Sequence, residues 1–249
     1  MFFIHDGGWI TGDKANPDFL AKCLEFGISV VSINYRFITD VSAEKSVPPE
    51  KACLDDAARA LQFVRSKATE WNIGKQHIGG CGGSAGGFTA LWLAFHPDLA
   101  KPASADPVFR ESTRLQCVLA FVPQTTLDPK QMQAWIPNNQ YGNHAFALSS
   151  MQEFLDQREK LMPWIEEFSP YELASANDPP VLLFYDNPPK LGQPYKDPPH
   201  SANYGAGIAE KFKTVGIEHE INYNNDNAKM KYPDLFSFLT AKLKATPAK

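Results

Sequence analysis

Ser84 lies in the stretch Gly79-Gly80-Cys81-Gly82-Gly83-Ser84-Ala85-Gly86-Gly87-Phe88. The spacing Gly82-x-Ser84-x-Gly86 is what a nucleophilic serine needs at a sharp strand-to-helix turn. The serine backbone is strained there, and only small neighbours let strand and helix approach closely. Such a turn lifts the hydroxyl clear of a sheet. The next N–H, on Ala85, and the helix N-terminus then offer positive potential to an oxygen that becomes negative. The same glycines also fit a looser pattern, Gly80-x-Gly82-x-x-Ala85, as in a dinucleotide-binding turn. Against that reading, no Lys-Ser/Thr follows the glycines, and no clear second strand ends in an acid about 20 residues on.

A second stretch, His5-Asp6-Gly7-Gly8-Trp9, follows a short strand at Phe2–His5. Two adjacent glycines expose consecutive N–H groups with no side chain in the way, which suits an anionic oxygen; taken alone, such a pair favours a plain turn.

The elements that must position these residues follow from periodicity. Strands are expected at Phe2–His5, Ile28–Asn34, His77–Cys81, Leu115–Val122, Pro179–Tyr185 and Glu218–Tyr223. Helical patterns cover Asn16–Gly27 (Asn16 as cap), Glu50–Trp71, Ala85–His96, Asn203–Val215 and Asp234–Leu243. The alternation predicts an α/β fold, a mostly parallel sheet with helices on both faces. Residues 123–175 interrupt it and read as a lid or side layer within one domain spanning 1–249.

Composition sets limits. With 249 residues, 43% hydrophobic, the chain can bury one large core, and a net charge of −4 gives no basic footprint for nucleic acid. No apolar run approaches a membrane span. Cys23, Cys53, Cys81 and Cys117 lack metal-ligand spacing and read as buried free thiols, and the six histidines form no metal-binding pair. No metal or cofactor is implied. Compartment cannot be read from the N-terminus, which begins as a strand already in progress.

Taken together, the glycine loop, the Val31-Ser-Ile-Asn-Tyr35-Arg36 stretch, the Ser84 turn, Ser169-Pro170 and Asp178-Pro179-Pro180 resemble, in order, the hormone-sensitive-lipase-like esterases of the α/β-hydrolase fold. The resemblance implies hydrolysis of a small ester. Ser84 is the nucleophile, and Gly7, Gly8 and Ala85 supply oxyanion N–H groups. Asp6 stands where the family has its first glycine, and its carboxylate is expected to point away. The triad acid is expected after the Val181–Tyr185 strand, at Asp197 or, alternatively, Asp186; either could instead be a turn cap.

The base departs from the pattern. The loop after the last strand, Asn224-Asn225-Asp226-Asn227-Ala228-Lys229-Met230-Lys231-Tyr232, holds no histidine. Three outcomes stay open: His200, three residues beyond Asp197, is the base or else an ordinary helix-entry histidine; His144 folds over the serine; or no base exists and the chain is a pseudohydrolase that binds without turnover. His5, His77 and His96 are poor candidates. Trp9, Phe88, Trp92, Trp135 and Trp164 line either a pocket or the core. The family topology also places two strands before Phe2, which this sequence lacks. An open edge at residues 28–34 is therefore expected to favour self-association.

Overall fold

The computed structural model describes residues 1–15, 17–41, 47–224 and 230–244. The cap expected at Asn16 and most of the loop expected to carry a base lie outside these. Six strands form one parallel sheet: β1 (Phe2–Ile4), β2 (Val31–Ile33), β3 (Gly80–Gly83), β4 (Val118–Phe121), β5 (Val181–Tyr185) and β6 (His219–Tyr223), in the order β2-β1-β3-β4-β5-β6. The helices are α1 (Leu20–Glu25), α2 (Glu50–Ser66), α3 (Ser84–Phe95), α4 (Pro129–Trp135), α5 (Met151–Phe168), α6 (Pro170–Leu173), α7 (Asn203–Val215) and α8 (Leu235–Leu243).

Period-two alternation along the strands divides the core between the two faces. Phe2, Ile4, Val118, Ala120, Val181 and Leu183 pack with α2, α3, α5 and α7. Phe3, Cys81, Leu119 and Leu182 face the other way, onto Cys23 of α1 and Phe238, Leu239 and Leu243 of α8. All four cysteines are buried free thiols. Residues of the 123–175 segment (Met132, Phe154, Phe168) belong to the first cluster. Within that segment α6 packs on α3 and α5, and α4 on α5 and α7. Among the described residues no helix is long and apolar enough to cross a membrane.

Several elements are shorter than their sequence patterns. The strand expected over 28–34 is reduced to Val31–Ile33, because its partner among the described strands, β1, offers only Phe2, Phe3 and Ile4 for pairing. It lies at the sheet edge. The helix expected from Asn16 begins at Leu20, after Phe19 in left-handed backbone (φ 62°). The helix expected to reach Trp71 stops at Ser66. The strand expected at His77–Cys81 is Gly80–Gly83 instead, in register with Phe2–Ile4 and Val118–Phe121, so that α3 begins on Ser84 itself.

At the crossing of β1 and α3 backbone meets backbone with no room for a side chain. A Cβ on Gly86 would lie 2.1 Å from the Ile4 carbonyl oxygen and 2.6 Å from that of His5. Neither is a movable side-chain end, so Gly86→Ala should force strand and helix apart. It is expected to cost about 3 kcal/mol or more, overpacking against backbone being the severe case; urea denaturation checks this, and a loss under about 0.5 kcal/mol would contradict the packing.

Candidate active site

Ser84 opens α3 with φ 45°, the left-handed region that a side chain adopts only when its surroundings impose it. It sits at the carboxyl end of β3, the position where parallel sheets place ligands. Its Oγ lies 2.9 Å from His200 Nε2, and His200 Nδ1 lies 2.7 Å from Asp197 Oδ2. Asp197, Pro198, Pro199 and His200 form the short turn leading into α7. The two prolines stiffen this turn. The buried Gln124 donates from Nε2 to the Pro199 carbonyl at 2.5 Å, so the core grips the residue just before the histidine. Asp197 itself keeps 59% of its side chain exposed, and His200 34%.

The other candidates are accounted for by different contacts. Asp186 accepts from Asn224 Nδ2 at 3.1 Å, so it is paired away from His200. His144 does not fold over the serine; its Nε2 lies 3.2 Å from the Gly8 carbonyl. His96 caps the far end of α3 and bonds Glu167. His77 borders a cavity of about 210 Å³ at the opposite end of the sheet. Trp92 is buried against His96, while Trp135 and Trp164 are half-buried and pack on Tyr171 and Phe168 at the margin of the core.

The glycine loop lies against the elbow. Gly7 (φ 102°), Gly8 (φ 61°) and Trp9 (φ 59°) run consecutively through left-handed backbone. Such a run persists only when it is held from outside, and the carbonyls show how. The Tyr35 hydroxyl donates to the His5 carbonyl at 3.0 Å, and His5 Nδ1 donates to that of Asp6 at 2.8 Å. Ile10 and Thr11 N–H donate to the Gly7 carbonyl at 3.1 and 3.2 Å. In a trans peptide the N–H points opposite the carbonyl. Tying back the Asp6 and Gly7 carbonyls therefore aims the Gly7 and Gly8 N–H groups away from those partners. Neither N–H has a protein acceptor among the described residues. The Ala85 N–H, in the first turn of α3, has no intrahelical acceptor either. Trp9 Nε1 donates to Thr89 Oγ1 at 3.2 Å, and that hydroxyl donates to the Ala85 carbonyl at 2.8 Å, which links the loop to the serine-bearing helix.

Asp6 does not point away. Its Oδ2 lies 3.8 Å from where a Cβ on Gly83 would sit, so an exposed carboxylate faces the residue before the serine. Sequence reasoning missed Gln124, Tyr141 and Thr89, and it weighed His144 as a base rather than as a partner of the Gly8 carbonyl. Each is brought in by packing between distant segments, and no local spacing marks it; Tyr35 at least stood in a stretch already singled out.

The parallel sheet, the elbow at Ser84 and the glycine loop beside it define an α/β-hydrolase fold. The chain belongs to the BD-FAE family, whose model it matches over residues 1–190. It is 29% identical over 137 residues to an AB hydrolase superfamily protein of Schizosaccharomyces pombe, covering 54% of this chain and 36% of that one. It is also 29% identical over 127 residues to the versiconal hemiacetal acetate esterase of Dothistroma septosporum, covering 50% and 34% respectively. The chain thus spans about a third of the length of these curated relatives. Among solved structures, it is similar to an acetyl ester-xyloside bifunctional hydrolase from Caldicellulosiruptor lactoaceticus (TM-score 0.64, 22% identity, 88% of this chain and 70% of that one).

The Asp197–His200 contact has a spectroscopic consequence. Proton NMR should show a strongly deshielded His200 Nδ1 proton that disappears in Asp197→Asn, since a charge-assisted hydrogen bond is replaced by a weaker one. An unchanged resonance would remove Asp197 from the pair.

Proposed function

We propose that this protein is a carboxylic-ester hydrolase acting through Ser84, His200 and Asp197. The observation that carries the reading is the chain of two contacts, 2.9 Å from Ser84 Oγ to His200 Nε2 and 2.7 Å from His200 Nδ1 to Asp197 Oδ2. A serine hydroxyl is a weak nucleophile until a base takes its proton. His200 Nε2 accepts that proton as Oγ bonds to the ester carbonyl carbon. The carbonyl oxygen, now negative, accepts hydrogen bonds from the N–H groups of Gly7, Gly8 and Ala85. His200 then returns the proton to the alcohol oxygen as the C–O bond breaks. Water, deprotonated by the same nitrogen, releases the acid from Ser84.

Asp197 holds the proton of His200 on Nδ1, leaving Nε2 free to accept. Because that carboxylate is more than half exposed, water screens its charge and can replace it. The acid therefore contributes less here than in a site where it is buried. The substrate class supported best is a small acyl ester, acetates first. The Tyr141 hydroxyl stands beside Gly8, 3.5 Å from where a Cβ would sit, so an aromatic side chain borders the oxyanion donors. Acetate or acetyl esters also figure in the names of two of the similar proteins.

A fluorophosphonate probe and p-nitrophenyl esters test the reading. The wild-type protein should label, and Ser84→Ala should not. His200→Ala should lower kcat by about three orders of magnitude or more, and Asp197→Asn by only about ten- to a hundredfold. Acetate should be cleaved faster than octanoate. The competing possibility, a pseudohydrolase that binds without turnover, predicts no labelling, and predicts that Asn227→His in the loop after β6 raises turnover; with His200 as base that substitution changes nothing.

A further inference from the structure

The carbonyls of residues 5 to 9 are all tied back, four of the five by donors from the loop itself or from the segment after β2. Tyr35 holds His5, His5 holds Asp6, Ile10 and Thr11 hold Gly7, and the Ile38 N–H donates to the Trp9 carbonyl at 2.9 Å. The fifth, on Gly8, is held by a residue more than a hundred positions away in the chain: His144 Nε2 at 3.2 Å. His144 lies in the short 3-10 turn Asn143–Phe146, within the segment that interrupts the strand–helix alternation. Its ring is 4.6 Å from that of Tyr141 and 5.9 Å from that of Trp9. The Tyr141 ring in turn stacks on Trp9 at 6.3 Å.

We infer that His144 is a positioning residue for the oxyanion loop. Its Nε2–H, donated to the Gly8 carbonyl, fixes the Gly8–Trp9 peptide from the side layer and holds the left-handed Gly7-Gly8-Trp9 run in place. Two features make this tie consequential. The carbonyl accepts no other hydrogen bond among the described residues. Trp9, the next residue, bears a side chain in left-handed backbone, so the peptide before it would relax if released. A carbonyl can only accept, so His144 must carry its proton on Nε2. Burial pushes its pKa below the usual imidazole value, against a smaller opposing effect of the Gly8 carbonyl, which keeps the ring neutral near pH 7. The side layer thereby acts on the site through the loop, without touching Ser84. The kinetic side of this inference rests on the ester-hydrolase reading; the structural side does not.

The test compares His144→Phe and His144→Leu, which remove the donor at two side-chain sizes, with His144→Gln, whose amide can replace it. Hydrogen–deuterium exchange over residues 6–11 should speed up about fivefold or more in both apolar variants and stay near wild type in the glutamine variant. For p-nitrophenyl acetate, kcat should fall about tenfold in the apolar variants with KM changed less than about twofold, and the glutamine variant should recover most of the loss. Unchanged exchange in the apolar variants, or a glutamine variant as impaired as they are, overturns the inference. A wild-type protein inert to both ester and fluorophosphonate overturns the ester-hydrolase reading instead, while the exchange comparison still decides whether His144 holds the loop.

Discussion

The site depends on the near-contact between the end of β1 and the first turn of α3. Gly82 and Gly86 let the Ile4 and His5 carbonyls sit where side chains would otherwise be. That approach does three things at once. It forces Ser84 into left-handed backbone, which turns its hydroxyl out of the sheet. It brings the segment following β1 alongside the serine. It also leaves the first-turn N–H groups of α3 facing the same space, at the positive end of the helix. Widening the gap by the size of one methyl group would disturb all three together.

Around that contact the chain spends many hydrogen bonds on carbonyls. Every carbonyl from His5 to Trp9 is engaged, which leaves the N–H groups of Gly7 and Gly8 without a protein partner. Unpaired buried donors are costly in a core. Under the proposed ester-hydrolase reading, the same donors would meet a developing negative charge without rearrangement. Trp9 and Thr89 then fasten the loop to α3 through a hydrogen bond of 3.2 Å.

The histidine is held differently. It sits on a proline-stiffened turn at the entrance to α7, with Gln124 below and solvent above, and Asp197, its carboxylate partner, is three residues away on the same turn. A pair that close in sequence needs no distant strand to assemble it. The geometry is local, and its electrostatics are softened by water. The loop after β6, where the related pattern would place the base, contributes Asn224, which hydrogen-bonds Asp186.

By itself, the sequence determined the alternation of strands and helices, the elbow at Ser84, and the glycine loop as its neighbour, because each is written in local spacing: period two, period 3.6, and small residues where backbone must approach backbone. α7 matched its sequence pattern from Asn203 to Val215. The lengths of β2 and β3 did not match, because a strand is only as long as its partners allow. Only the tertiary structure brought His200 rather than His144 against Ser84, paired Asp197 rather than Asp186 with that histidine, and turned Asp6 toward Gly83. The placing of the two histidines depends on which groups from segments more than a hundred residues apart come within about 3 Å of one another. Spacing along a chain carries no record of such distances.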